Sequence, residues 1–586
     1  MTFRKGIGFD TCSLCPLCPS VSTMGDSFII AIDFGTAYSG YAFSITSRKE
    51  ETDPYVKYWG EEVGLETPKA PTCILFDKHE EFVSFGYVAK ETYLSKKGQE
   101  ARDLYFFNCF KMKITRNLKI KAANGKEMTA LKVFTEALRF LKDDALKHIA
   151  INTEGKEFTA SDFTWVLTVP AIWDHSAKQF MREAATQAGI VPKGNSDQLV
   201  IALEPEAASV FCKRLPSDGF IAENRGEDKL DQSPGTQYII VDCGGGTIDI
   251  TVHEVLERGA LKELHKASGN DNGGQNVDRK FKEFLREIFC DGVWEEYQKK
   301  YPSEVQRMMN DFTGFKKKDK DFEITCSLNL GTVAQKKQDI ERFLEKVQGV
   351  SWNEGSIRIC KQKLRSFFEE SLWGITKSVR QLLSKDFKIE YILLVGGFAE
   401  SEILRRHITE EFMDNCKVLC PFRPQEAILK GAVQFGRNPS VIASRKSAFT
   451  YGVAISQRFN ESIHRADKKF TNKEGTFCVD LFMNLVKADE DVGWNETRKH
   501  ILNPLESDQT QVNFTFYQTK RQNVKYVDER GVEKIGSFVV SSPNTTRGLQ
   551  RKIELEIRFG YTEMTATGTD KETGIKQTIE LDFMRI

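Results

Sequence analysis

Two widely separated segments of this chain repeat one device, and that repeat limits the fold more than any other feature. Residues 28–36 read FIIAIDFGT and residues 238–247 read YIIVDCGGGT. In each, an apolar strand delivers an aspartate, Asp33 or Asp242, to a turn of Gly and Thr. A second strand then resumes with alternating apolar residues: Tyr41, Phe43 and Ile45 in one, Ile248, Ile250 and Val252 in the other. The two form an internal pseudo-repeat spaced by roughly two hundred residues.

Around these hairpins, from residue 28 to about 438, strand-like runs alternate with helical segments, which predicts α/β architecture. Beyond about residue 440 the pattern changes to short β-type runs at 512–517, 537–540, 553–559 and 578–583, separated by Asn, Asp, Gly and Pro. The third alternates Ile553, Leu555, Ile557 and Phe559, so an all-β C-terminal domain is expected. At roughly 150 residues per domain, 586 residues hold several cores.

Lys and Arg total 83, as do Asp and Glu, so no global charge draws the chain to nucleic acid or an anionic membrane. No apolar run approaches the ~18 residues that span a bilayer, and Asp10, cysteines and prolines break up the N-terminal region where a secretory signal would stay apolar. The 13 cysteines are odd in number and scattered, as suits packed, reduced thiols. A cytoplasmic protein is expected, with the nucleus also open to it. Residues 1–26 read as a tail without periodicity; its Cys12, Cys15 and Cys18 lack the second ligand pair that zinc usually takes.

Glycine at the apex of a strand–turn–strand leaves backbone N–H groups free to converge on an anion, because no side chain blocks close approach. Phosphate is the natural guest. Asp33 and Asp242 could hold Mg²⁺ through its water shell, and the hydroxyls of Thr36 and Thr247 could reach phosphate oxygens or the metal's waters. A third glycine turn, LLVGGF at 393–398, follows a strand and precedes a helix with Ile403, Leu404, Ile408 and Phe412 on one side. Gly396 and Gly397 there let a flat ring or a phosphate lie against backbone.

The order of these segments resembles the actin, sugar kinase and heat-shock-70 ATPase superfamily. Residues 33–41 resemble its first phosphate loop, 241–250 its second and 392–403 its adenosine motif. Residues 167–189 and 426–436 resemble its two connecting helices. LTVPA at 167–171, EPEAA at 204–208 and the DCGGGTID of 242–249 are similar to the heat-shock-70 branch, and AIDFGTAYSGYA at 31–42 with FKMK at 110–113 most resembles that branch's divergent twelfth subfamily.

The resemblance implies a two-lobed actin-like ATPase domain, a duplicated ribonuclease H-like fold, at 27–438. Lobe I covers about 27–206 and lobe II about 207–438. A linker at 439–449 leads to a β-sandwich-like substrate-binding domain at 450–586, with no helical lid expected after it. ATP/ADP and Mg²⁺ are the implied cofactors. Asp33, Glu204, Asp242 and Asp249 would organise the metal and the attacking water. Gly35, Thr36, Ala37, Tyr38, Gly244, Gly245, Gly246 and Thr247 would cradle phosphates, with Gly273, Gly274, Gly396, Gly397 and Phe398 completing the nucleotide site. Lys113 stands where the family has a lysine acting on the γ-phosphate, and Lys111 is its alternative.

Three departures from the family pattern stand out. Phe398, Ala399 and Glu400 replace small polar residues and an arginine beside adenine, and Lys316 and Lys317 would take over the base-covering role. The linker carries Arg445 and Lys446 where the family has an acidic, leucine-rich tether, so it is not expected to dock in an apolar cleft and coupling between the domains should be weak.

The function implied is that of an ATP-binding, slowly hydrolysing, stress-response chaperone. It would act as a monomer on protein or peptide clients, with co-chaperones or nucleotide exchange factors as further partners. The alternatives are a nucleotide-regulated adaptor and, less compatible with a C-terminal β domain, a small-molecule kinase or actin-like filament protein.

Overall fold

The computed structural model describes residues 28–45, 52–111, 118–153, 155–192, 198–221, 229–335, 344, 347–560 and 563–580. The cysteine-bearing tail, Lys113 and the last residues of the final strand run fall outside them.

Lobe I is built from β1 (Phe28–Phe34), β2 (Tyr38–Ser44), α1 (Gly86–Ser95), α2 (Ala130–Asn152), β3 (Phe163–Val169), α3 (His175–Gln187), β4 (Leu199–Leu203) and α4 (Glu204–Cys212). Its sheet runs β4-β3-β1-β2, with Tyr55–Val56 and Ala70–Pro71 both paired to β2. The strands β1, β3 and β4 are parallel and almost wholly apolar, as strands covered on both faces must be. One face takes α2, which buries Val133, Phe134, Ala137, Leu138 and Leu141 at helical spacing.

Lobe II repeats the plan with β5 (Gln237–Cys243), β6 (Ile248–Val255), β7 (Leu261–Asn270), α5 (Gly274–Ile288), α6 (Pro302–Phe315), α7 (Glu369–Leu383), β8 (Ile389–Val395), α8 (Glu402–Phe412), β9 (Lys417–Leu419) and α9 (Pro424–Arg437). Its sheet begins β9-β8-β5-β6-β7. Between the lobes, α4 and α9 share a third apolar core with the inner faces of both sheets. The two helices cross so closely that a Cβ at Gly431 would lie 1.7 Å from the Ala207 carbonyl oxygen. Only glycine allows that approach.

The segment expected to be a charged linker forms a strand. β10 (Ile442–Lys446) adds in parallel to β7 at the edge of the lobe II sheet. The C-terminal domain follows as β11 (Thr450–Arg458), β12 (Lys469–Asn472), β13 (Gly475–Val486), β14 (Asp491–Gly493), β15 (Glu496–Leu502), β16 (Gln511–Thr519), β17 (Glu533–Ser541), β18 (Ile553–Gly560), β19 (Glu563–Asp570) and β20 (Lys576–Glu580). One sheet runs β12-β13-β11-β16-β17 and the other β15-β18-β19-β20. Val453, Phe514, Phe516 and Val540 from the first meet Ile553, Leu555, Ile557 and Ala566 from the second in a single core. Meanwhile β14 leaves the sandwich and pairs with β10.

Charge explains why the polar tether docks. Arg445 makes two hydrogen bonds to the fully buried Glu206 carboxylate, at 2.5 and 2.8 Å, while Lys446 and Lys262 both reach Asp491. A bidentate guanidinium–carboxylate pair holds geometry as well as charge. The linker therefore needs no apolar cleft.

Among the described residues, no helix is long and apolar enough to cross a membrane.

Candidate functional site

The two glycine turns face each other at the mouth of the interlobe cleft, whose cavity measures about 500 Å³. Asp33, Gly35, Thr36, Ala37 and Tyr38 line it from lobe I, and Asp242, Gly244, Gly245, Gly246 and Thr247 from lobe II. The turns nearly touch: a Cβ at Gly245 would lie 2.6 Å from the Cβ of Ala37. Each turn is tight because its glycine tolerates a carbonyl where a side chain would go. A Cβ on Gly35 would meet the Tyr38 oxygen at 2.2 Å, and one on Gly244 the Thr247 oxygen at 2.9 Å. Behind the second turn, the N–H groups of Gly274 and Gln275 donate to the carbonyls of Gly244 and Gly245, so the start of α5 fixes that turn's shape. Gly273 approaches the same carbonyls but does not line the cleft.

Strand register assembles the acidic centre. Asp242 and Asp249 are directly opposed in the β5–β6 hairpin. Asp33 pairs in register with Thr168 of β3, whose hydroxyl donates to Asp33 Oδ1 at 2.9 Å. Glu204 opens α4, where Leu203 ends β4 and Pro205 supplies the fixed φ of a first helical turn. Burial pushes the carboxyls of Asp242 and Glu204 up, and neighbouring carboxylates push them further; Lys69 opposes the shift at Asp242 and Lys111 at Glu204. Burial also raises Asp249, against the hydrogen bonds it accepts from the Ile172 N–H and the Thr247 hydroxyl. Buried carboxylates crowded in this way favour a cation among them.

Two lysines sit inside the centre. Lys111 Nζ donates to Glu204 Oε1 at 2.6 Å and lies 5.0 Å from the centroid of the Trp173 ring. Lys69 Nζ is ion-paired to Asp33 Oδ2. Neither Asp242 Oδ1 nor Asp249 Oδ2 has a hydrogen-bond partner although both are buried. Those two oxygens fit a hydrated cation beside lobe II. The Asp33 carboxylate, with both oxygens engaged, does not offer the same.

The third turn lines the same cleft, against Asp242. Gly396 takes φ +86, and a Cβ there would strike Asp242 Oδ1 at 2.3 Å. Phe398 is buried, stacked on Phe368 with centroids 5.8 Å apart and pressed against Gly274. The lysines expected over a base are both paired: Lys316 holds the Asp278 carboxylate and the Gly274 carbonyl at 2.7 Å, and Lys317 reaches Glu400 at 2.8 Å. Both still line the cavity.

The Hsp70 protein family model matches residues 102–437, more than half of the chain. Mouse heat shock 70 kDa protein 12A is 34% identical over 95% of this chain and 91% of that protein. The chain belongs to the Hsp70 family. Human heat shock 70 kDa protein 12B is 32% identical over 98% of this chain and 95% of its own length. The chaperone protein HscA homolog of Acinetobacter baumannii (strain AYE) is 21% identical over 91% and 78%. The likeness to the 12A and 12B proteins extends through the C-terminal domain, beyond the region that the family model covers.

For a member of this family the Gly and Asp turns were legible, but several cleft residues were not. Lys69, Thr72 and Lys90 also line the cavity. Thr72 Oγ1 donates to the Gly35 carbonyl at 2.8 Å and so braces the first turn. Burial lowers the Lys90 ammonium from its ordinary value. None of the three lies in a glycine turn, and only the fold brings them there.

Proposed function

We propose that this Hsp70-family protein is an ATP-binding, slowly hydrolysing chaperone-type protein that holds protein clients on its C-terminal β domain. The observation that carries the reading is the pair of glycine turns opposed across one cleft that the buried Asp33, Glu204 and Asp242 line, with buried Asp249 opposite Asp242 in its hairpin. Backbone N–H groups of the turns bind the phosphates, and the cleft beside Gly396, Gly397 and Phe398 takes the base. Asp242 would hold a magnesium ion through water, and the metal would supply positive charge for the phosphates. Glu204 and Asp249 orient the attacking water, and Lys111 stabilises charge that develops on the γ-phosphate. Family membership favours this reading over a small-molecule kinase or a filament former.

A second reading, a nucleotide-responsive adaptor with little turnover, is favoured by the engagement of Asp33 with Lys69. Single-turnover hydrolysis of ATP by the purified chain separates the two. A rate measurably above that of the Glu204→Gln variant supports the chaperone-type ATPase, and equal rates support the adaptor. Calorimetry with ADP tests what both share, and absence of binding at millimolar ADP would overturn both. A fluorescent apolar peptide titrated against the full chain tests the client claim.

A further inference from the structure

The two hairpins of the pseudo-repeat differ at one position that matters. In lobe II, the residue opposite Asp242 is Asp249; in lobe I, the residue opposite Asp33 is Gly40. Gly40 leaves room that another segment fills. The short strand Ala70–Pro71 pairs with β2 beside it, and an ideal Cβ on Gly40 would lie 2.8 Å from the Pro68 carbonyl oxygen and 3.1 Å from Lys69 Cγ. The stem of Lys69 thus runs over the glycine and delivers its ammonium to Asp33. Its side chain is 7% exposed, and it lines the same cavity as Gly35 and Thr36.

Asp242, the other carboxylate to which an outer-sphere metal would be assigned, lines that cavity too. Lys69 therefore shares one cleft with both carboxylates. A lysine here is a compact point charge with three donors. Asp33 takes one donor, and two remain for anionic oxygen held by the first turn.

We infer that Lys69 is a built-in cation of the phosphate site, standing in part for the divalent metal, so that this chain binds a nucleoside diphosphate with little dependence on Mg²⁺. The inference rests on the nucleotide reading of the cleft. An ion added to the site faces one paired carboxylate, at Asp33, and one open carboxylate, at Asp242. Its gain in binding is correspondingly reduced, because much of the charge it would supply to the phosphates is already present.

Calorimetric titration of the full chain with ADP, in excess Mg²⁺ and in EDTA, tests this. The wild type should lose less than about fivefold in affinity on removal of the metal, and Lys69→Met should lose more than about twentyfold in EDTA and recover most of it in Mg²⁺. Lys69→Arg, which keeps the charge, should bind in EDTA within about fivefold of the wild type. Should Lys69→Met fail to fold by circular dichroism, the wild-type comparison and Lys69→Arg still decide. A wild type that binds in Mg²⁺ but loses more than about fiftyfold in EDTA would overturn the role of Lys69 and leave the nucleotide reading intact. No binding in either buffer would overturn both.

Discussion

Closure of the cleft depends on the two turns meeting, and Gly245→Ala isolates that contact. Its new Cβ would stand 2.6 Å from that of Ala37, whereas carbon atoms in good contact lie ~3.5–4.0 Å apart. The tips must then part by about 1 Å, or strain of the kind seen on overpacking, ~1–3 kcal/mol, must be absorbed. The free protein relieves it cheaply by opening the cleft. A bound nucleotide cannot, because phosphate has to touch both turns. The cost therefore appears in binding, as a ~5- to 150-fold loss at ~1.4 kcal/mol per tenfold. Calorimetry with ADP reads it, and a thermal melt should move little. Gly245→Val, larger still, should abolish binding. The first clash of either side chain falls on the opposite turn, at Ala37. An ADP affinity of Gly245→Ala within twofold of wild type, with an unchanged melt, would refute the reasoning.

Lys111→Ala should lower single-turnover hydrolysis by at least about tenfold with little change in ADP affinity, since its partner Glu204 acts late in the reaction. It should also destabilise the chain by ~3–5 kcal/mol through the orphaned carboxylate, and Lys111→Met with Glu204→Gln should restore the melting temperature. If Lys113→Ala slows hydrolysis and Lys111→Ala does not, the lysine assignment moves two residues along the chain. Arg445→Ala should raise amide hydrogen exchange across 442–446 by about tenfold or more, as β10 loses its buried anchor Glu206; unchanged protection would show that the strand pairing alone holds the linker. Stability near that junction should depend on pH. Burial, with Glu206 nearby and Arg445 opposing, pushes Glu263 up to about 8, and burial pushes His253 down to about 4. A carboxyl raised from its unfolded ~4.3 stabilises fully below that value and loses its contribution as pH rises toward 8. The histidine, lowered from ~6.5, contributes above that pH and loses it as pH falls toward 4. Between about 6.5 and 8 the histidine adds no slope while Glu263 still does, so urea unfolding should become easier across that range and Glu263→Gln should make the dependence shallower.

What the sequence made legible was whatever a short segment encodes by itself. Asp33, Gly35, Thr36 and their counterparts at 242–247 sit in one strand and one turn, and alternation around them set the face of each residue. Lys69 carried no such signal. Its meaning depends on the register of Ala70–Pro71 against β2 and on Gly40 opposite Asp33, and nothing local to residue 69 states either. Lys111 and Lys113 could not be separated for the same reason. The approach of Lys111 to Glu204, 93 positions along the chain, comes from the fold and not from the local sequence, and Lys113 lies outside the described residues. Lys316 and Lys317 read as basic, but their pairing with Asp278 and Glu400 depends on how α5 and the third glycine turn come together.

The linker carries this point furthest. Taken alone, Arg445 and Lys446 argue for solvent, because an isolated charge is costly to bury and a polar tether has no apolar face to lay down. Glu206, in the EPEAA segment, taken alone is a carboxylate in the first turn of α4. Each is weak evidence by itself. In the structure they meet: the Glu206 carboxylate is fully buried, and Arg445 closes on it with two hydrogen bonds while its guanidinium lies 5.8 Å from the Trp494 ring. Glu206 without Arg445 would be an unpaired buried ion, so the two residues stabilise the junction only together. A charged tether in this family thus excludes docking by leucines into an apolar cleft, but not docking by an edge strand and an ion pair. The strength of the coupling between the domains then depends on ionic interactions. Salt, which screens the partly exposed Lys446–Asp491 pair more than a pair anchored on the fully buried Glu206, should loosen β14 from β10 before it releases β10 from β7.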